Sequence, residues 1–201
     1  MLIAGLTGGL ATGKSFVAAA LHRLGAYVIE ADALGHEVLQ PGTEAYSATV
    51  TAFGSEILDE DGRIDRPRLA AAVFGNPAAL ETLNAIVHPA VRERAAAQFQ
   101  AIAQRDPHAV VIYVAAILIE TGGHRDVDKL ILVTCSREQQ IARALERPAA
   151  TLPDVLARLD RQYPLDRKLP FADYVIDTSG AKEDTLRQTK MVFEDLKNLA
   201  I

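Results

Sequence analysis

Short apolar runs alternate with amphipathic stretches along this chain. Leu2–Leu6 is an apolar run that breaks into Thr7-Gly8-Gly9, the pattern of a buried strand entering a loop. Ser15–Leu24 then carries Phe16, Ala19, Ala20 and Leu24 at helical spacing, and Gly25 supplies a stop. Tyr27–Ile29, Val110–Val114, Leu130–Val133 and Tyr174–Ile176 read as four further strands. Helical patterns follow the last two, over Arg137–Glu146 and Lys182–Leu199, the second with Leu186, Phe193, Leu196 and Ala200 on one face. Alternation of this kind predicts right-handed βαβ units, hence an α/β fold with a five-stranded parallel sheet covered on both sides.

Two stretches interrupt the alternation. Residues from about 34 to 105 hold no strand pattern, and Pro77–Gln104 is helical, with Leu80, Leu83, Val87, Val91, Ala95, Phe99 and Ile102 as its apolar stripe. Pro89 sits within that stripe and predicts a kink or a new helix start. The second stretch, about 147–171, contains Pro148, Pro153, Pro164 and Pro170 among many charges and reads as an exposed helical excursion. No repeat or low-complexity tract is present. The chain therefore reads as one unit: a core of about 1–33, 106–146 and 172–201, a helical insert of about 34–105, and an excursion of about 147–171.

Composition narrows the class without naming the chemistry. Hydrophobic residues make up 49% of the 201 and charged residues 23%, an ordinary globular balance that excludes disordered and collagen-like chains. Lys plus Arg total 21 against 26 for Asp plus Glu, a net charge of −5 that argues against nucleic acid as a partner for the whole surface. The single cysteine, Cys135, permits no internal disulfide and suits a reducing compartment, so a cytoplasmic location is expected. No run approaches the ~20 apolar residues of a membrane span, and no membrane partner is expected.

The densest chemistry lies at the first turn. Gly8-Gly9-Leu10-Ala11-Thr12-Gly13-Lys14-Ser15 fits G-x-x-x-x-G-K-[ST], with a strand before it and a helix after, which is the context the pattern requires. Such a loop turns successive backbone N–H groups toward phosphate oxygens, and the helix N-terminus adds its positive dipole end. Lys14 would reach the β- and γ-phosphates of a nucleoside triphosphate, and the Ser15 hydroxyl would ligate Mg²⁺. Taken alone, the loop says nucleotide binding and leaves the reaction open.

Asp32 follows the second strand, which this reading sets beside the phosphate-loop strand. A carboxylate just past the carboxyl end of a parallel strand can accept the proton of an attacking hydroxyl or help hold magnesium through water. The same position suits the N-cap of a helix beginning at Ala33, and both readings stand on position alone. Arg143 and Arg147 lie four apart on one helix face and adjoin the excursion, which adds Arg158, Arg161, Arg167 and Lys168. Arginines on a mobile lid suit transferring phosphoryl groups; a solvated surface is the alternative. Asp59-Glu60-Asp61-Gly62 opens like a calcium loop, but Arg63 and Ala70 fall where ligands are needed, so it reads as a turn. The five histidines show no metal-ligand spacing, and Cys135 reads as core.

In order and spacing these pieces resemble the dephospho-coenzyme A kinase family over nearly the whole chain. The resemblance rests on Leu6-Thr7-Gly8-Gly9 with Gly13-Lys14-Ser15, Val28-Ile29-Glu30-Ala31-Asp32, Phe53-Gly54 through Gly62-Arg63-Ile64-Asp65-Arg66, and Leu83-Asn84 with His88-Pro89. Gln140-Ile141-Ala142-Arg143 with Arg147, Gln162, and Ala172-Asp173-Tyr174-Val175-Ile176-Asp177 complete it. It implies a three-layer P-loop kinase fold in which the 34–105 insert binds coenzyme A and residues 147–171 form the lid. It also implies transfer of the γ-phosphate of ATP, with Mg²⁺, to the 3′-hydroxyl of dephospho-coenzyme A by a monomer or small homo-oligomer. Carried over residue by residue, Asp32, Lys14 and Arg143 would be catalytic. ATP would be held by Gly8, Gly9, Leu10, Ala11, Thr12, Gly13, Lys14, Ser15, Phe16, Arg147 and Thr178. The acceptor would meet Thr7, Asp32, Arg66, His88, Leu118, Glu120 and Gln162. The chain departs from the family at Ala11, where glycine is common, at Phe16 for threonine, at Thr178 for asparagine, and in Ala116-Ile117-Leu118-Ile119-Glu120 for Pro-Leu-Leu-Phe-Glu.

A competing class is a nucleotide-dependent switch. The Asn-Lys-x-Asp guanine-reading pattern is absent, as is an Asp-x-x-Gly after the third strand. A second kinase reading is another small-molecule or nucleoside-monophosphate kinase of the same architecture.

Overall fold

The computed structural model describes residues 1–201 and divides into two compact units, 1–30 with 102–201, and 31–101. The first unit is built on five parallel strands: β1 (Leu2–Gly8), β2 (Tyr27–Glu30), β3 (Val110–Val114), β4 (Lys129–Thr134) and β5 (Tyr174–Asp177). Their order is β2-β3-β1-β4-β5. Ala4 of β1 pairs with Ile112 on one side and Lys129 on the other, so β1 is central. This corrects the expected neighbourhood of β2: β3 intervenes, leaving β1 and β2 two ladder spacings apart, about 10 Å. Consecutive strands need not be adjacent, and nothing in the lengths of the connections distinguishes the two arrangements.

One face of the sheet is covered by α1 (Lys14–Arg23) and α9 (Lys182–Leu199). Leu2, Ala4, Leu6, Ile112, Ile131, Val133 and Ile176 point into that side and meet Val17, Leu21, Phe193 and Leu196. Val111, Leu130 and Leu132 on the alternate positions are buried as well, so both faces are covered, as near-continuous apolar strands require. The helix faces differ from expectation in detail. In α1 the buried residues are Val17, Ala18, Ala20 and Leu21 while Leu24 is exposed, and in α9 Thr185 and Thr189 turn inward and Leu186 outward. The Thr189 hydroxyl donates to the Thr185 carbonyl at 2.7 Å, which lets a polar side chain sit in an apolar seam. No helix is long and apolar enough to cross a membrane.

The same unit holds α6 (Arg137–Leu145), α7 (Leu152–Asp160) and the four-residue α8 (Leu165–Lys168). Ser136 and Gln139 form a reciprocal capping box at the start of α6, and Thr151 caps α7. Ala144, Val155 and Leu159 make a small separate core with Leu10, Ala11, Ile141 and Ala150 packed on it.

The second unit contains α2 (Ala31–Glu37), α3 (Glu44–Phe53), α4 (Arg66–Val73) and most of α5 (Pro77–Arg105). It has no strand beyond an isolated bridge, Leu58 to Ile64. The Asp59–Gly62 segment is a turn: Asp59 Oδ1 accepts from the N–H groups of Asp61 and Arg63, which leaves no calcium cage. Helix α5 runs for 29 residues with Pro89 inside it, so no new helix starts at that proline. A proline within a helix forfeits one backbone bond, and here the remaining turns carry the helix across. Only Val91 and Ala95 of its apolar stripe are buried, and Leu80 is exposed. Val38, Ala45, Ala48, Ile86, Pro89 and Ala90 line a cavity of about 530 Å³ in this unit.

Candidate active site

The phosphate loop joins β1 to α1 around two glycines whose positions resist a side chain. A Cβ on Gly8 would lie 2.5 Å from the Val133 carbonyl oxygen and 2.7 Å from Thr12 Oγ1. Gly13 has φ +89°, a left-handed conformation, and stands just before the first residue of α1. Ala11 also has positive φ, 56°. It pays for a conformation that favours glycine by packing beside Ile141, Val155 and Leu159. Lys14 Nζ donates to the loop's own carbonyls, Gly8 O at 3.0 Å and Gly9 O at 2.7 Å, and so curls over the loop. Thr12 is fully buried and its hydroxyl donates to Gly9 O at 3.1 Å, while Ser15 stands exposed at the second residue of α1. Phe16 is half-buried.

Two glutamines hold Leu10. Gln140 of α6 donates from Nε2 to Leu10 O at 2.7 Å, and Leu10 N–H donates to Gln162 Oε1 at 2.9 Å. Gln162, expected against the acceptor, has its amide oxygen on the phosphate loop.

Thr178, at the end of β5, is buried and ties three elements together. Its hydroxyl lies 2.8 Å from Thr12 O and 3.1 Å from Thr134 O. Arg143 donates to it twice, Nη1 to Oγ1 at 3.0 Å and Nη2 to the carbonyl at 2.7 Å. Arg143 therefore belongs to the wall beside the phosphate loop, on a helix packed against the core. Arg147, just past that helix, is exposed. Cys135 is buried beside Arg143; burial pushes its thiol above the ordinary range, against the arginine's pull, which suits a core residue.

The turn after β3 is more closed than its sequence suggests. Leu118 is buried, 2.5 Å from where a Gly5 Cβ would stand, so it fills the space above β1. Thr7 is buried and its hydroxyl donates to Ala116 O at 3.3 Å. Glu120 forms an ion pair with fully buried Lys168 at 2.8 Å, and its Oε1 also accepts from Tyr163 N–H at 2.9 Å. The Glu120–Lys168 pair was missed in the sequence because the two residues are far apart along the chain, Glu120 reading as an acceptor contact and Lys168 as one more basic residue of the excursion.

In the helical unit, Asp32 lies exposed in the first turn of α2, one residue inside its start, so it does not occupy the N-cap position considered for it. A carboxylate there also complements the helix dipole. Arg66 is exposed at the first residue of α4, which Asp65 caps. His88 is half-buried on α5, and burial, with Arg92 nearby, holds its pKa below the usual imidazole value. No cluster of three or more His, Cys, Asp or Glu side chains is arranged to hold a metal ion.

A parallel sheet whose central strand ends in a G-x-x-x-x-G-K-[ST] loop, with arginines and a capped helical excursion beside it, defines a P-loop kinase of small molecules. The sequence profile of the dephospho-CoA kinase family matches residues 2–184. A dephospho-CoA kinase of Geobacter metallireducens is 45% identical over 195 residues, covering 97% of this chain and 96% of that one. Among solved structures, a protein of Thermus thermophilus superposes with TM-score 0.83 at 31% identity, covering 97% of both chains. The dephospho-CoA kinase of Campylobacter jejuni superposes with TM-score 0.74 at 24% identity, covering 99% of this chain and 98% of that one, and supports the fold. The chain belongs to the dephospho-CoA kinase family, whose members phosphorylate dephospho-CoA with ATP in the last step of coenzyme A synthesis.

Proposed function

We propose that this chain transfers the γ-phosphoryl group of ATP to the 3′-hydroxyl of dephospho-coenzyme A, giving coenzyme A and ADP. The observation that carries the reading is an intact phosphate loop on the central strand of a chain that matches the family from residue 2 to residue 184. Asp32 takes the proton of the 3′-hydroxyl; the freed oxygen attacks the γ-phosphorus, and the bond to the β-phosphate bridging oxygen breaks as ADP leaves. Its support is the chain position two residues past the carboxyl end of β2, the sheet edge at which such folds take ligands. Lys14 exchanges the Gly8 and Gly9 carbonyls for phosphate oxygens, and Arg143 exchanges Thr178 for charge on the transferring group. Arg147 stands exposed where the 147–171 lid begins and meets the nucleotide phosphates as that lid closes.

The donor set fits magnesium that arrives with the triphosphate: Ser15 offers one hydroxyl, and no preformed carboxylate cage competes with it. Bound Mg²⁺ would offset phosphate charge. The 34–105 insert takes the acceptor through Arg66 and His88, and the cavity between α3 and α5, mainly apolar but also lined by Glu44, Glu93 and Arg94, offers that molecule a pocket. A cytoplasmic location accords with the single cysteine.

The test is ADP release from ATP with and without dephospho-coenzyme A, together with Asp32→Asn. We expect release to depend on the acceptor. The variant should bind both substrates nearly normally and lose on the order of 10²–10⁴ in kcat. Acceptor-independent release would favour the switch reading, and an Asp32→Asn enzyme with most of its activity would move the base elsewhere.

A further inference from the structure

The geometry points to Glu120 and Lys168 as positioning residues for phosphoryl transfer, a buried ion pair that holds the lid's descending segment so that Gln162 stays on the phosphate loop. This rests on the kinase reading above. Lys168 is 0% exposed and Glu120 13% by side chain, with 2.8 Å between Nζ and Oε1. Lys168 also donates to Ala116 O at 3.0 Å, the carbonyl that accepts from Thr7 of β1. The same Glu120 oxygen accepts the backbone N–H of Tyr163. Glu120 therefore grips residues 163–168 at both ends, and Gln162 is the residue immediately before that grip. Arg167 lies over the Tyr163 ring at 4.0 Å and closes the segment on itself.

Geometry sets the direction of the coupling. Gln162 Oε1 reaches only one backbone donor of the loop, Leu10 N–H, whose carbonyl is held from α6 by Gln140. The two peptide planes that flank Leu10 at the loop tip are thus each fixed, the following one from the core helix and the preceding one from the lid. A phosphate cradle works by aiming N–H groups, so the orientation of this tip enters the catalytic geometry. A buried charge pair suits such a fastening: it holds one register, because any slip leaves a charge in an apolar surround. The other Glu120 oxygen is buried without a hydrogen-bond partner, so a single carboxylate oxygen takes both Lys168 and the Tyr163 N–H.

The experiment compares Lys168→Met and Gln162→Met with wild type, measuring kcat, both KM values and amide deuterium uptake over residues 9–12. If the pair positions the loop, both variants lower kcat by about 10–100-fold, with the dephospho-coenzyme A KM within about twofold. Both also speed exchange at the loop tip, although Gln162→Met leaves the ion pair intact. Should Lys168→Met fail to fold, Glu120→Gln with Lys168→Met in one chain removes both charges and keeps an acceptor for Tyr163 N–H; it should show the same kinetic loss. The proposal fails if Lys168→Met or the paired variant only lowers the melting temperature and keeps wild-type kinetics. It also fails if Gln162→Met raises the dephospho-coenzyme A KM at unchanged kcat, which would make Gln162 an acceptor contact. Failure of the kinase reading is separate, since wild type itself would then show no acceptor-dependent turnover.

Discussion

Thr178 engages Thr12, Thr134 and Arg143 through one hydroxyl, so its removal reaches the phosphate loop, β4 and α6 together. Thr178→Val keeps the shape and strands the Thr12 carbonyl and one arginine N–H, a cost of about 1–3 kcal/mol. For a chain of this size that is a fall of roughly 2–10 °C in melting temperature, and a melt within about 1 °C of wild type would refute it. Arg143→Ala should lower kcat at least ~100-fold with a smaller change in ATP affinity, because an arginine that meets charge in the transition state lowers the barrier. A rise in the ATP KM alone would instead make it a ground-state contact. The importance of Lys14, Gly8 and Gly13 was legible from spacing, since a phosphate loop is a local pattern. The partners of Arg143, Gln162 and Glu120 were not, because each lies at least 35 residues away in the chain.

Helix α5 shows what periodicity resolves and what it does not. Its existence and length follow from the apolar spacing, yet Pro89 does not divide it, and only two of its residues are buried. His88 sits beside that proline, and its lowered pKa arises from burial first and Arg92 second. The proton therefore prefers the unfolded chain. His88 contributes stability that is present above the unfolded value of about 6.5 and is lost as pH falls through the folded value. Melting temperature should drop as pH falls below about 6.5, and His88→Gln should flatten that drop. An equal drop in the variant would assign the acid limb to other groups. In α1 and α9 the buried face could not be read unambiguously: Phe16–Leu21 is apolar nearly throughout, and Thr185 and Thr189 read as polar until their carbonyl partners are known.

At the scale of the whole molecule, nucleotide binding should appear as stability. ATP at about one hundred times its Kd raises the unfolding free energy by about 2.7 kcal/mol. Lys14→Ala should lose most of that rise while its ligand-free stability stays within about 1 kcal/mol, since its hydrogen bonds to the Gly8 and Gly9 carbonyls are half-buried. An unchanged ATP-induced shift would remove Lys14 from the phosphate site. The α/β class, the five strands, the phosphate loop and the helical insert were determined by the sequence itself, because hydrophobic period, glycine conformation and loop chemistry act over a few neighbouring residues. Strand order was decided only in three dimensions: β3 enters between β1 and β2, and no local rule distinguishes that crossover from a direct neighbour. The same holds for residues 147–171. Their prolines and charges mark an excursion, but Lys168 becomes a fully buried side chain only when the turn after β3 brings Glu120 to it. Charges read as surface residues because water is their default partner, and folding alone supplies a different one.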